Sequence, residues 1–292
     1  MIYSVRHTTT YTYEDGARFA QCVLRLRPRD TARQTVLSSN VEISPEPAQA
    51  LRQLGPFGEE VVRVLIDQPH PQLVISARSR VSLAPEPGMG LFASPRLAEV
   101  RDQASRSDDL GPDGPATFLY PTSSTPLVNG ITAYARESFA DQRPIYDAAH
   151  ELMTRIHADF AYDVTATDVA TPAALAFAHR RGVCQDFANV MVSGLRGLGV
   201  PAAYVSGYLR TEPPPGEARL QGADATHAWV QVWCGFDLGW VGFDPTNAVV
   251  PNSDHIALAV GRDYADVAPI EGVILTEGRQ SLTVEVDVTP EV

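Results

Sequence analysis

Cysteine is scarce in this chain: 292 residues contain only Cys22, Cys184 and Cys234. So small and odd a number does not make a disulfide framework, and no Cys-x-x-Cys or close pair of histidines supplies a zinc site. Positive charge is also short, with 23 Lys and Arg against 35 Asp and Glu, for a net charge of −12. An acidic surface argues against nucleic acid and anionic membrane as partners. No apolar run approaches the ~18 residues that suggest a membrane span. The N-terminal stretch Met1–His7 lacks the apolar core of a signal peptide. A cytoplasmic setting is expected, and its reducing conditions suit a free thiol. Glycine-rich phosphate loops and a Gly-x-Ser-x-Gly elbow are missing too.

The residues present divide the chain in two. The first third predicts strands near 2–13, 18–27, 39–45, 60–67 and 72–83, rich in Val, Ile, Thr, Tyr and Leu and separated by Pro and Gly clusters. A sandwich or a packed pair of small sheets is the simplest product. The Asp-, Ser-, Gly- and Pro-rich stretch 102–126 reads as a connection. Helical periods follow over 131–141, 144–160 and 172–180. After Cys184, Phe187, Val190, Met191, Leu195 and Leu198 form one apolar stripe, which Gly199 and Pro201 end. The period then changes to two over 202–209, 226–234 and 239–244, with a loop or lid at 211–224. The tail 281–289 reads as a last strand of uncertain host sheet. The domains expected are 1–105, a β domain; 106–280, a catalytic core; and 281–292, the C-terminal strand.

Cys184, His227 and Asp244 carry the chemistry. A thiol needs a base to remove its proton, and the base needs a third group to fix its tautomer. Cys184 falls in the first turn of its helix, where unpaired N–H groups and the helix dipole favour negative charge. Asp186 places a carboxylate in the same turn, which either works weakly against that effect or bonds the free N–H groups. In the next strand His227, Trp229, Gln231 and Trp233 share one face, and Cys234 lies on the other. A short link favours an antiparallel hairpin that would bring Asp244 toward His227. Each residue also has a plainer reading: a buried small hydrophobe, a structural histidine and a turn.

Three groups of residues resemble the bacterial transglutaminase-like superfamily. The first runs from Gly182-Val183-Cys184-Gln185-Asp186-Phe187-Ala188 through Leu195-Arg196-Gly197-Leu198-Gly199-Val200-Pro201-Ala202 to Val205-Ser206-Gly207-Tyr208. The second is Thr226-His227-Ala228-Trp229 with Trp240-Val241-Gly242-Phe243-Asp244-Pro245-Thr246. The third is His255-Ile256 with 261–269. Leu26-Arg27-Pro28-Arg29 and Gln34 fit the β domain that precedes this core in bacterial members, with Leu54–Glu59 in place of the usual Asp-x-Phe-Gly-Asn turn. The resemblance implies an α+β fold, with a β-sandwich-like N-terminal domain followed by a papain-like, transglutaminase-core domain of helices on an antiparallel sheet. It implies Cys184 as nucleophile, His227 as base and Asp244 as orienter, with no cofactor and no metal.

The expected function is acyl transfer through a Cys184 thioester on a peptide or protein substrate, as a cysteine peptidase or amidase. A protein-glutamine gamma-glutamyltransferase and a non-catalytic peptide-binding module are the alternatives. Trp229 and Tyr208 are the expected substrate-side residues. His255 and Asp263 are expected to support the cleft, and the 211–224 loop to gate it. Oligomeric state is not legible.

Overall fold

The structure is a computed structural model, and it describes residues 1–84, 94–140, 142–211 and 225–291. The N-terminal part comprises β1 (Ile2–Leu24), β2 (Gln34–Ser44), β3 (Gln49–Leu54), β4 (Glu60–Ile66) and β5 (His70–Leu83). The expected strands at 2–13 and 18–27 are one 23-residue strand. Gly16 bends it at φ +75°, a conformation that costs glycine little. The half of β1 before the bend pairs with β5, and the half after it pairs with β4. The sandwich is therefore one sheet curled over a strand common to both halves.

The core follows. Its elements are α1 (Leu97–Ser105), α2 (Asn129–Arg136), α3 (Ile145–Asp159), β6 (Ala161–Tyr162), α4 (Ala173–His179), β7 (Arg181–Gly182), α5 (Cys184–Gly197), β8 (Ala202–Leu209), β9 (Ala225–Trp233), β10 (Trp240–Phe243), β11 (His255–Gly261) and α6 (Tyr264–Val267). The sheet order is β10-β9-β8-β11, all antiparallel. α5 packs on this sheet with Phe187, Val190, Met191 and Leu195 against Ala228, Val230 and Val232. Cys234 lies in the same core, on the face expected for it.

Arg196 ties the far end of α5 in place. It is buried, and its guanidinium donates to the carbonyls of Phe118, Ala202 and Arg262 and to the Thr125 hydroxyl at 2.7–3.1 Å. Burial pulls its proton affinity down, to a pKa of about 10.

The chain then returns. β12 (Ile270–Thr276) and β13 (Gln280–Glu291) both pair with β1 in the N-terminal sheet, Ile2 opposite Glu291. This gives the last strand its host and seats β12 in the same sheet. Val286 and Val288 of β13 pack with Tyr3 and Val5 against Tyr208, Ile256 and Leu258 of the core sheet. Gln34 adds a polar stitch. Its amide takes the Ala257 N–H at 2.9 Å and donates to the Ala257 carbonyl at 2.7 Å, as a neighbouring strand would. No helix among the described residues is long and apolar enough to cross a membrane.

Candidate active site

The approach to Cys184 is pinned on both sides. Arg180 closes α4 in the left-handed region, at φ +53°, which is costly for a side-chain-bearing residue. Its guanidinium lies over Phe177, Tyr134 and Phe160, 4.1–4.9 Å from the ring centroids, which favours that conformation through cation–π attraction. β7 then pairs with β6. Asp186 reaches back so that its Oδ2 accepts from the Val183 N–H at 2.8 Å and from the Thr167 hydroxyl at 2.7 Å. The carboxylate thus serves as a cap for the helix entry. It passes where a Gly182 Cβ would be, so only glycine fits there.

Cys184 is the first residue of α5 and is partly exposed. Its side chain lies close enough to the His227 imidazole to help hold a proton on that ring. His227 enters from β9, opposite Gly207 of β8. The hairpin register sets Phe243 against Val230, so Asp244 emerges beside His227. His227 Nε2 and Asp244 Oδ2 are 2.8 Å apart, which leaves Nδ1 of the ring for the sulfur.

Asp244 is completely buried. Its Oδ1 accepts from the N–H groups of Thr246 and Asn247 at 2.9 and 3.3 Å, and so forms the turn expected of an Asp-Pro-Thr-Asn sequence. Its Oδ2 faces His227, His255 Nε2 at 3.1 Å and Asn247 Nδ2 at 2.7 Å. Burial alone would raise the carboxyl pKa. The hydrogen bonds from the two histidines and Asn247, with the His227 charge, outweigh that and hold it well below the usual range. Burial likewise opposes charge on His227, but its interactions with Asp244 and Cys184 prevail and raise its pKa to about 9.

The two parts of the chain match known families separately. Residues 3–82 match the bacterial transglutaminase-like N-terminal region, and 132–245 match the transglutaminase-like superfamily. An uncharacterised protein of Mycobacterium tuberculosis is 36% identical over 99% of this chain and 92% of its own length. The chain belongs to the transglutaminase-like superfamily. A protein-glutamine gamma-glutamyltransferase of Pseudomonas aeruginosa is 31% identical over 51% of this chain and 23% of its own length. The crystal structure of a candidate cysteine protease from Cytophaga hutchinsonii superposes with a TM-score of 0.73. It covers 100% of this chain and 92% of that one at 20% identity, a likeness of fold alone.

Within this transglutaminase-like site, Asp244 and Cys184 both act on the His227 imidazole, and the two expected substrate-side residues are both buried. Tyr208 lies on the part of β8 that the N-terminal sheet covers, and its hydroxyl meets His7 Nδ1 at 2.9 Å. Trp229 is buried behind the histidine. Its ring stacks on His227 with centroids 6.1 Å apart and lies over Gly207. Tyr162, Tyr204 and Tyr264 lie within electrostatic reach of Cys184. Burial chiefly, and the sulfur's charge in addition, raise all three hydroxyls. Tyr162 and Tyr264 left no signal in the sequence because β6 and α6 are too short to show a period, and Tyr204 left none because alternation along β8 does not say what its ring approaches.

Asp263 caps α6 by accepting from the Ala265 N–H and takes no part in the site. His255 supports the cleft at close quarters, through Asp244. A cavity of about 900 Å³ lies behind the site, lined by Arg29, Gln34, Trp229, Trp240, Asn252 and His255 among others. Neither Cys184 nor His227 lines it, so the cavity is not the thiol's own cleft. The ligand-type atoms of His227, Asp244 and His255 lie within 4.8 Å of one another. A cation there would have to displace the contacts that His227, His255 and Asn247 make to Oδ2. The expected gate at 211–224 falls, from 212 onward, outside the described residues.

Proposed function

We propose that the protein is a thiol-dependent acyl-transfer enzyme acting on peptide or side-chain amides. The observation that carries this reading is Cys184, at a helix entry, beside an imidazole that it helps to charge and whose Nε2 lies 2.8 Å from a buried aspartate. In the forward step His227 takes the thiol proton, and the sulfur attacks the amide carbonyl. The Asp244 carboxylate stabilises the imidazolium that forms. The Cys184 N–H, unpaired within the helix, faces the developing oxyanion, a contact of a kind worth roughly 3 kcal/mol. His227 then protonates the leaving amine, and a thioester on Cys184 remains. Water, deprotonated by His227, attacks the thioester, releases the acid and restores the thiol.

Water is the acceptor we favour, because Cys184 is partly open to solvent and water is always at hand. The name of the Pseudomonas relative supports a second reading, in which a primary amine attacks the thioester and an isopeptide-type amide results. Incubation with a glutamine peptide and a primary amine, read by mass spectrometry, separates the two. Free acid as the main product supports hydrolysis; an amine adduct in excess of acid rejects it in favour of transfer. No product with any amide in a broad peptide library would reject both.

A further inference from the structure

Two histidines converge on one oxygen of Asp244. A carboxylate oxygen offers two lone pairs, yet Oδ2 lies within hydrogen-bond distance of His227 Nε2, His255 Nε2 and Asn247 Nδ2, at 2.8, 3.1 and 2.7 Å. His255 arrives from β11, two strands away from His227 in the sheet, and is buried. Its other nitrogen, Nδ1, receives the backbone N–H of Asn252 at 3.3 Å. That contact requires Nδ1 to accept, which puts the ring proton on Nε2, toward Asp244. A proton on Nδ1 would oppose the N–H and point to Asn252 Oδ1, 3.4 Å away.

We propose that His255 is a positioning residue whose Nε2–H shares Oδ2 with His227, fixes the Asp244 carboxylate from a second strand and tempers its pull on the His227 imidazolium. This rests on the acyl-transfer reading of Cys184 and His227. Among the described residues, the titratable groups that act on His227 are Asp244, after β10, and Cys184, on α5. Those that act on Asp244 are His227 and His255. Across from His227, β8 presents only Gly207. With the His255 donor gone, the charge on Oδ2 falls more heavily on His227, whose imidazolium should then keep its proton to higher pH.

The rate at which iodoacetamide alkylates Cys184 reads this without any substrate. Measured on the full chain from pH 5 to 10.5, by mass spectrometry of the Cys184 peptide, the wild-type rate should carry a step near the His227 value of about 9. His255→Phe keeps the volume and removes the donor, and should move the step up by about half a pH unit or more. His255→Leu serves the same purpose where the ring does not fold. His255→Gln restores an N–H and should return the step to the wild-type position. Coincident wild-type and His255→Phe curves, in protein of native circular dichroism, would overturn the proposal. So would a His255→Gln curve displaced like that of His255→Phe, which would mean packing alone. A wild-type curve that moves on adding EDTA would also overturn it, because a cation would then join the three side chains. A wild-type curve with no step near 9 would reject the Cys184–His227 pairing itself, and this proposal with it.

Discussion

At the scale of single residues, Asp244 divides its labour between its two oxygens. Oδ1 makes the turn that ends β10, and Oδ2 holds the imidazole of His227. Asp244→Asn keeps the shape and removes the charge. The His227 step should fall from about 9 toward its ordinary value of 6.5, and turnover should drop by roughly a thousandfold or more. A pH–rate profile of the variant checks both. The sign for stability follows: His227 is raised on folding, so its pairing stabilises fully below pH 6.5 and that contribution is lost as pH rises through about 9.

The three thiols should also separate. Burial pushes Cys22 up to about 11 and Cys234 to about 12, while Cys184 is partly exposed. Brief iodoacetamide treatment at pH 7.5, read by peptide mass, should label Cys184 first and leave the other two unmodified. The meeting of His227 with Asp244 was legible because each sits in a distinctive local sequence. His255 and Asn247 were not legible as partners of Asp244, since only the sheet order and the turn bring them to Oδ2. The motif of Tyr208 lies beside the site in sequence, while its ring packs with Tyr3, Val5, Val286 and Val288.

At the scale of elements, α5 and the β9–β10 hairpin read well, since both show a clean apolar period and their ends are marked by Gly, Pro or Asp. β3 did not read at all: every residue in it is exposed, so it has no alternation to detect. α1 was hidden in a polar stretch with only Val100 and Ala104 buried. The position of α5 depends on Arg196, whose guanidinium satisfies carbonyls from three segments. Arg196→Met should leave those carbonyls unpaired and cost about 3 kcal/mol or more, measured as the loss in urea unfolding free energy. Gly207 has a different constraint. A methyl there would meet the Ile256 carbonyl oxygen 2.3 Å away and the Trp229 ring 2.5 Å away. Gly207→Ala should therefore push the indole off His227, shift the Trp emission and reduce turnover by about tenfold or more.

At the scale of the whole molecule, the two ends of the chain share one sheet, and that sheet braces the core strands that carry His227 and His255. The fold class was legible from the change of period along the sequence. The return of 270–291 to β1 was not, because strand pairing over such a separation leaves no local signal. The brace carries a titratable group. His7 is buried between the parts, against Tyr208 and Thr9, and burial lowers its pKa to about 4. The unfolded chain binds that proton more readily, so stability should decline as pH falls from 6.5 toward 4, by up to about 3 kcal/mol. His7→Gln should flatten that part of a melting-temperature profile.

The most direct measurement is trapping of the covalent intermediate. The full chain is mixed with a peptide library, quenched in acid within a second, digested and weighed by mass spectrometry. The account predicts an acyl mass on the Cys184 peptide, absent from Cys22 and Cys234. It also predicts that Cys184→Ala forms no adduct and turns over none of the library. Amide cleavage or exchange that persists at the wild-type rate in Cys184→Ala would contradict it.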